Sequence, residues 1–403
     1  MNKITALAAA LSLVLPASAQ APASSDPTAF ALALHRRLAG GDNIMTSPYS
    51  LRQALGMAYA GSAGGTREEM ARVLSAGPAF VTEETVTRKS LAAANGEATL
   101  KVANALFLKK GYEFLPSFLK TAREAFAAEV FVREFGAAAL KELNAWVGAN
   151  TNDKIPMILD KLEKGDRAVL LNAVYFKGKW VHAFPKTESG AAKGRSGGPR
   201  GGPLPETFHP AKKAAFPIKL MSVHETFDYA ESEGHQAVRL PYKGGRLAMI
   251  AVLPAESSSL TAFRETLDSG TWRSLRSTLA PRKGMVAIPR FKFENSYGMV
   301  APLKAMGMKL PFDQARADFS NMSRPSTMEE ELYITRVVQK TFVAVDEEGT
   351  EAAAATAAVM GVRGSSMRGP QPFRFVANRP FFFVIEDTLT ETILFIGEVQ
   401  DPR

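Results

Sequence analysis

The sequence predicts an α+β fold built as one domain over 26–403. Three observations lead there. Segments with helical spacing crowd the first half of the chain, strand-like runs dominate the second, and the two never alternate as βαβ units would. No internal repeat and no linker-like break in composition marks a second domain.

The residues ahead of that domain read differently. "MNKITALAAALSLVLPASAQ" places Lys3 before an apolar stretch from Ile4 to Leu15 and the small residues Ala17, Ser18 and Ala19. That order is expected of a secretory signal peptide over 1–19, with 20–25 as a flexible lead-in. No later apolar run reaches the length of a transmembrane helix, so the mature chain is expected to be soluble and secreted, extracellular or periplasmic. Within the domain, "AFALALHRRLAG" has helical spacing and a terminal glycine. "SPYSLRQALGMAYAGSAGG" reads as a capped apolar helix ending at its glycines, and "TREEMARVL" as a short helix, acids early and arginine late. "ATLKVANALFLKKG" contains a strand, "LPSFLKTAREAF" and "KELNAWVGANT" are helices, and "RAVLLNAVYFKGKW" is a buried strand ending at Trp180. The glycine-rich stretch 190–203 reads as a surface insertion. Its Lys193, Arg195 and Arg200 suit a polyanion, but an insertion without a role is the simpler reading. "HQAVRLPY", "RLAMIAVLP" and "GMVAIPRFKF" follow as strands, then a helix at "YGMVAPLKAMGM" and a strand within "ELYITRVVQKTFVAV". "RPFFFVIED" and "TILFIGEV" close the chain as a buried hairpin.

Composition narrows the function. The 403 residues are 46% hydrophobic and 22% charged, enough for a large core. There is no cysteine, which excludes disulfide staples, thiol chemistry and a lipid-anchored lipoprotein. Removing the expected signal takes away Lys3 and no acid, so the charge excess falls from +9 to +8, a mild surplus that reads as a solvated basic surface. His35, His182, His209, His224 and His235 are scattered without HExxH spacing. GxSxG and Walker patterns are absent, so no local signature argues for an enzyme, a metal or a cofactor.

One stretch resists a propensity reading. "EEGTEAAAATAAVM", from Glu347 to Met360, would be an alanine-rich helix by itself. It follows the strand "VVQKTFVAV" and leads into "GVRGSSMRGPQP", a loop with two arginines. As a strand its side chains would alternate faces, so that Thr350, Ala352, Ala354, Thr356 and Ala358 share one side. All are small enough to enter a packed sheet, and Glu351 falls on the other side.

These residues resemble the serpin family along nearly all of the mature chain. The similarity is carried by "NIMTSPYSLRQALGMAYAGSAGGT", "LLNAVYFKGKW", "PRFKFENSYGMVAPLKAMGM", "ADFSNMS", "EEGTEAAAAT" and "FVANRPFFFVIED", in the family's order. The resemblance implies three β-sheets, called A, B and C, with eight or nine helices and an exposed reactive loop, here about 347–372. It implies a monomeric inhibitor, not an enzyme, with no cofactor, no nucleic acid and no membrane. Its partner would be a target serine protease, trapped as a covalent acyl complex when the cleaved loop inserts into sheet A. It further implies a hinge at Glu347, Glu348, Gly349, Thr350, Glu351, Ala352, Ala353, Ala354, Ala355 and Thr356, with Gly349 as pivot. A shutter of Ser47, Ser50, Asn172 and Gln339 is implied beneath sheet A, glutamine standing where the family often has histidine. A breach is implied at Trp180, with an Arg290–Glu347 ion pair. Counting from Glu347 puts the reactive bond at Arg363–Gly364, suited to a trypsin-like pocket. Arg368–Gly369 is the alternative, and Met360 or Val362 would suit chymotrypsin- or elastase-like enzymes. A non-inhibitory member, cleaved as a substrate or acting as a binding protein, is the alternative function. Only Arg72, Arg88 and Lys89 are basic between Ala71 and Leu100, so no heparin-binding helix is expected there.

Overall fold

Side-chain caps start the early helices. In the computed structural model, which describes residues 24–93, 98–163, 165–186, 204–324, 332–350 and 371–403, Asp26 accepts from the Ala29 N–H at 2.9 Å and opens α1 (Pro27–Leu38). After β1 (Ile44–Thr46), Ser47 caps α2 (Pro48–Gly61). Then come α3 (Gly64–Leu74), α4 (Phe80–Ala92), β2 (Thr99–Lys109), α5 (Pro116–Phe126), β3 (Glu129–Arg133), α6 (Ala137–Asn150) and β4 (Ala168–Lys179). The strand-rich half continues with β5 (Thr207–Phe208), β6 (Phe216–Pro217), β7 (Leu220–Glu231), β8 (His235–Pro241) and β9 (Leu247–Pro254). Two helices, α7 (Leu260–Thr266) and α8 (Ser269–Thr278), precede β10 (Ala280–Pro289), β11 (Phe291–Gly298) and α9 (Val300–Ala305). The chain closes with β12 (Ile334–Val345), β13 (Gly349–Thr350), β14 (Phe373–Val376), β15 (Phe381–Asp387) and β16 (Ile393–Val399).

The described residues thus hold nine α-helices and three sheets, of eight, six and two strands. The largest runs β1-β16-β15-β9-β8-β7-β10-β14, the second β11-β12-β13-β4-β2-β3, and β5-β6 form the smallest. The upper part of the six-stranded sheet buries Val174, Phe176, Val343 and Val345 against Leu240, Phe383 and Phe395 of the eight-stranded one. Its lower part rests Leu106, Leu170 and Val337 on Leu51 and Leu55 of α2. On the opposite face Phe107, Val169 and Leu171 are covered by Leu143 and Val147 of α6. The two central strands are therefore held from both sides over their lower halves.

Three local readings change. Of the glycines expected to end the second helix, Gly61 does so, while Gly64 and Gly65 open the third, Gly64 with φ of +48°. "GMVAIPRFKF" is not one strand but two, β10 and β11, in different sheets, with Arg290 at the corner between them. Helices α4, α7 and α8 and strand β7 are not among the elements read from the sequence and emerge only in the structure. For α4 the reason is visible, since only Phe80, Glu84 and Leu91 are buried along it.

Candidate functional site

The central strands of the six-stranded sheet, β4 and β12, run parallel. Their lower halves pair directly, from Ile334 with Ala168 to Lys340 with Ala173. Higher up they part, and β13 lies between them, antiparallel to both. Thr350 pairs with Val345 on one side and Gly178 on the other, while Gly349 pairs with Lys179. Gly349 and Thr350, the expected start of the hinge, thus sit two residues deep in a slot whose lower part is closed.

A tight turn brings the hinge there. The Asp346 carboxylate accepts from the N–H groups of Glu348 and Gly349 at 2.9 and 3.2 Å, and the Asp346 N–H donates to the Gly349 carbonyl at 2.9 Å. Trp180 supports the turn from below. Its indole N–H donates to the Asp346 carbonyl at 3.1 Å and its backbone N–H to that of Glu348 at 2.8 Å. The Phe184 N–H holds the Glu347 carbonyl at 2.8 Å. Trp180 stacks on Tyr242 with centroids 4.4 Å apart, and the Tyr242 hydroxyl meets the Thr350 hydroxyl at 2.7 Å. All three side chains are buried, and Thr350 faces the core between the sheets. Burial pushes the Tyr242 phenol far above its ordinary pKa, against the pull of the Thr350 bond, so the hydroxyl pair stays neutral.

Two ion pairs flank the turn. Arg290 donates through Nε to both carboxylate oxygens of Glu347 at 2.8 and 2.9 Å, and Lys186 pairs with Glu348. Burial works to raise the Glu347 pKa, but the Arg290 hydrogen bonds and the charges of Arg290 and Lys186 outweigh it and hold the carboxyl below its usual range. Gly349, expected as a pivot, also meets a need for room. Its φ is outside the left-handed region, but a Cβ there would lie 2.0 Å from the Gly178 carbonyl oxygen and 2.8 Å from the Lys179 Cα. The position demands room between two backbones.

Where β4 and β12 pair directly, a buried polar network joins them. The Ser47 N–H donates to Gln339 Oε1 at 3.0 Å, and Gln339 Nε2 donates to the Ser47 carbonyl at 2.9 Å and to Asn172 Oδ1 at 3.1 Å. Asn172 Nδ2 passes the chain on to Asn104 Oδ1 at 2.9 Å. Ser47 Oγ donates to the Leu394 carbonyl at 2.6 Å. Gln339 and Asn172 are register partners, so their bond spans the line along which the strands would separate. Ser50 enters only through its N–H, which donates to Ser47 Oγ at 3.3 Å, and its own hydroxyl finds no partner among the described residues.

The structure therefore gathers Ser47, Asn172 and Gln339 at one place and Trp180, Arg290, Glu347, Glu348, Gly349 and Thr350 at another. Glu351, Ala352, Ala353, Ala354, Ala355, Thr356, Met360, Val362, Arg363, Gly364, Arg368 and Gly369 lie outside the described residues, as do residues 1–23 and the insertion 190–203. Sequence reading missed Asn104, Asp346, Lys186 and Tyr242. Asn104 leaves a signal, since it occupies an inward position of an otherwise apolar strand, two residues before Leu106. Tyr242 leaves none, because it reaches Trp180 by an isolated bridge between distant segments.

Comparison with known proteins gives this slot its class. The family model described as "Serpin (serine protease inhibitor)" matches residues 25–402. An uncharacterized serpin-like protein of Thermococcus kodakarensis is 35% identical over 97% of this chain and 88% of its own length. Leukocyte elastase inhibitor A of Rattus norvegicus is 33% identical over 94% of this chain and 99% of its own. The structure of tengpin, a thermophilic serpin in its native state, superposes with a TM-score of 0.81 at 26% identity, covering 94% of this chain and 96% of that one. The fold is that of a family of protease inhibitors rather than enzymes. This chain belongs to the serpins.

Proposed function

We propose that this chain is an exported suicide-substrate inhibitor of trypsin-like serine proteases, with Arg363 as its bait residue. The observation that carries the reading is the half-open slot, in which Gly349 and Thr350 already occupy the place of an inserting strand. The protease serine would attack the Arg363 carbonyl. The bond to Gly364 breaks, an ester to the serine oxygen forms, and the serine proton passes through the protease's base to the amine of Gly364.

The register of Gly349 and Thr350, carried on, supports a definite travel for the freed loop. Each further residue moves one position down β4 and β12, which brings Met360 opposite Ala168, the first residue of β4. The inward positions are Ala352, Ala354, Thr356 and Ala358, all small. Thr356 arrives level with both Asn172 and Gln339, where a hydroxyl can satisfy the two amides that insertion parts. Arg363 follows three residues later, so the protease is held on a tether of about 10 Å, some 43 Å from Thr350 at roughly 3.3 Å per residue. From Arg368 the tether would be about 26 Å and slack. Insertion replaces the six β4–β12 residue pairings with a strand paired on both sides. A net gain of about ten backbone hydrogen bonds at about 1 kcal/mol each is a driving force on the order of 10 kcal/mol. The uncut form is then kinetically trapped.

The test mixes the mature protein with trypsin on a denaturing gel, with mass spectrometry of the released peptide. The expected result is a stable band at the summed mass and a peptide beginning at Gly364. A peptide beginning at Gly369 moves the bait to Arg368. Cleaved protein with fully active trypsin refutes the trypsin-inhibitor reading and favours the non-inhibitory alternative.

A further inference from the structure

The foot of the slot, where β4 and β12 still pair, is tied by a side chain that neither the hinge nor the polar network uses. Ile334 stands opposite Ala168 and Arg336 opposite Val169, so β12 carries a bulge with Thr335 as its extra residue. Ile334 and Val337 therefore both face the core, three residues apart, and Arg336 points outward. Its guanidinium meets the connection between α6 and β4. Nε donates to Asp166 Oδ1 at 3.2 Å, Nη1 donates to the Lys161 carbonyl at 3.2 Å, and Nη2 lies 3.5 Å from Glu163 Oε1. Asp166 is buried, and its other carboxylate oxygen accepts from the Glu163 N–H at 2.7 Å.

That connection belongs to the β4 side. Ile155, Ile158 and Leu159 pack with Leu143 of α6 and with Val169 and Leu171 of β4. Asn144 of α6 accepts from the Ile158 and Leu159 N–H groups at 2.9 and 3.1 Å and donates to the Leu159 carbonyl at 2.7 Å. What joins the connection to β12 is mostly polar. Down the outer face of β12, the Phe342 ring lies 5.5 Å from the Lys154 ammonium, Lys340 donates to the Met157 carbonyl at 2.6 Å, and Arg336 comes last. Val338 adds an apolar contact at the rim.

We propose that Arg336 is a positioning residue that latches the foot of the slot and sets how fast insertion is completed. Here β12 and β4 are direct neighbours, so a strand entering between them moves Arg336 about 4.8 Å away from Asp166. The register proposed above puts the end of that strand level with Ala168 and Thr335, so the latch opens after the contacts of Phe342 and Lys340. Opening it leaves a buried carboxylate without its cation, which costs more than losing a neutral hydrogen bond. A slow last step gives the protease time to hydrolyse the ester, while in the uncut chain the same contacts keep the foot of the sheet closed. The part in insertion rests on the inhibitor reading; the clamping of the uncut sheet does not.

The experiment uses the full mature protein and two readouts. Hydrogen exchange on the uncut chain follows the amides of residues 169–171 and 337–339. Arg336→Met keeps the stem and removes the fork, so exchange there should speed up about tenfold while the amides of 178–180 stay within twofold. Asp166→Asn should add less than twofold to Arg336→Met, because the two share one contact. Arg336→Lys keeps the charge and should stay within threefold of the parent. A dye on Met157→Cys, an exposed position in a chain without cysteine, then reports the parting of the connection from β12 after mixing with trypsin. Arg336→Met should speed that signal about fivefold. Unchanged exchange at the foot in Arg336→Met, or full additivity with Asp166→Asn, overturns the latch. Faster exchange with an unchanged dye rate overturns its part in insertion. A parent chain that forms no complex with trypsin sinks the inhibitor reading instead, and the exchange readout still decides the latch.

Discussion

Replacing Gln339 by alanine tests the polar network at the middle of the slot. Three hydrogen bonds go, but the losses differ. The Ser47 carbonyl keeps the Leu51 N–H at 3.0 Å, so it stays satisfied. The Ser47 N–H and Asn172 Oδ1 lose the Gln339 partners described above, both in buried surroundings. Orphaned buried groups cost about 1–3 kcal/mol each. Water entering the vacated space recovers part of that, which leaves about 3 kcal/mol. On the proposed mechanism a barrier holds the native form, so the readout is the unfolding rate in denaturant, expected to rise by up to about 100-fold. Losing the Gln339–Asn172 bond also lowers the barrier to strand separation by about 1 kcal/mol, so insertion after cleavage should be about fivefold faster. Gln339→Met is the control, since it keeps the volume and removes the bonds. A Gln339→Met protein that unfolds within twofold of the parent rate would refute the reasoning.

Other expectations follow from the same geometry. Gly349→Val drives a side chain into the Gly178 carbonyl, so β13 should leave the slot and inhibition of trypsin should fall at least tenfold with cleavage preserved. Ala354→Lys puts a charge on an inward position of the inserting strand and should convert the protein to a substrate, read as cleaved protein without complex on a denaturing gel. The Glu347 carboxyl is depressed in the folded state, so its contribution to holding the hinge is complete above the ordinary glutamate value of 4.5 and is lost as pH falls through the depressed one. Trp180 fluorescence should be flat from pH 7 to about 5 and change below 4.5, and Glu347→Gln should abolish that change. Gln339 carries no titrating group, so the unfolding rate should show no network-linked transition between about pH 5 and 8.

How much of this was legible depended on where each signal lay. The long apolar strands β4, β12, β15 and β16 and the capped helix α2 announce themselves by local pattern. Strand β7 does not, because Glu225 falls on the face of Val223, Phe227 and Tyr229 and interrupts its apolar alternation. Arg290 reads as a residue within a strand, and only the change of sheet at Pro289 explains why its side chain reaches Glu347. Gly349 heads a run of small residues in the sequence, but the demand for room there was not legible, since it comes from Gly178 on a distant strand. Asn104 shows as a polar residue on the inward face of an apolar strand, whereas Tyr242 completes the upper network from an isolated bridge, and long-range pairing of that kind leaves no local trace.

The central claim is that the cut loop becomes the missing strand between β4 and β12. A crystal structure of the protein cleaved after Arg363 tests it most directly. The account predicts a continuous strand from Gly349 to Met360, with Met360 opposite Ala168 and the Thr356 hydroxyl between Asn172 and Gln339. A cleaved protein in which β12 still pairs directly with β4 and the loop lies outside the sheet would contradict it.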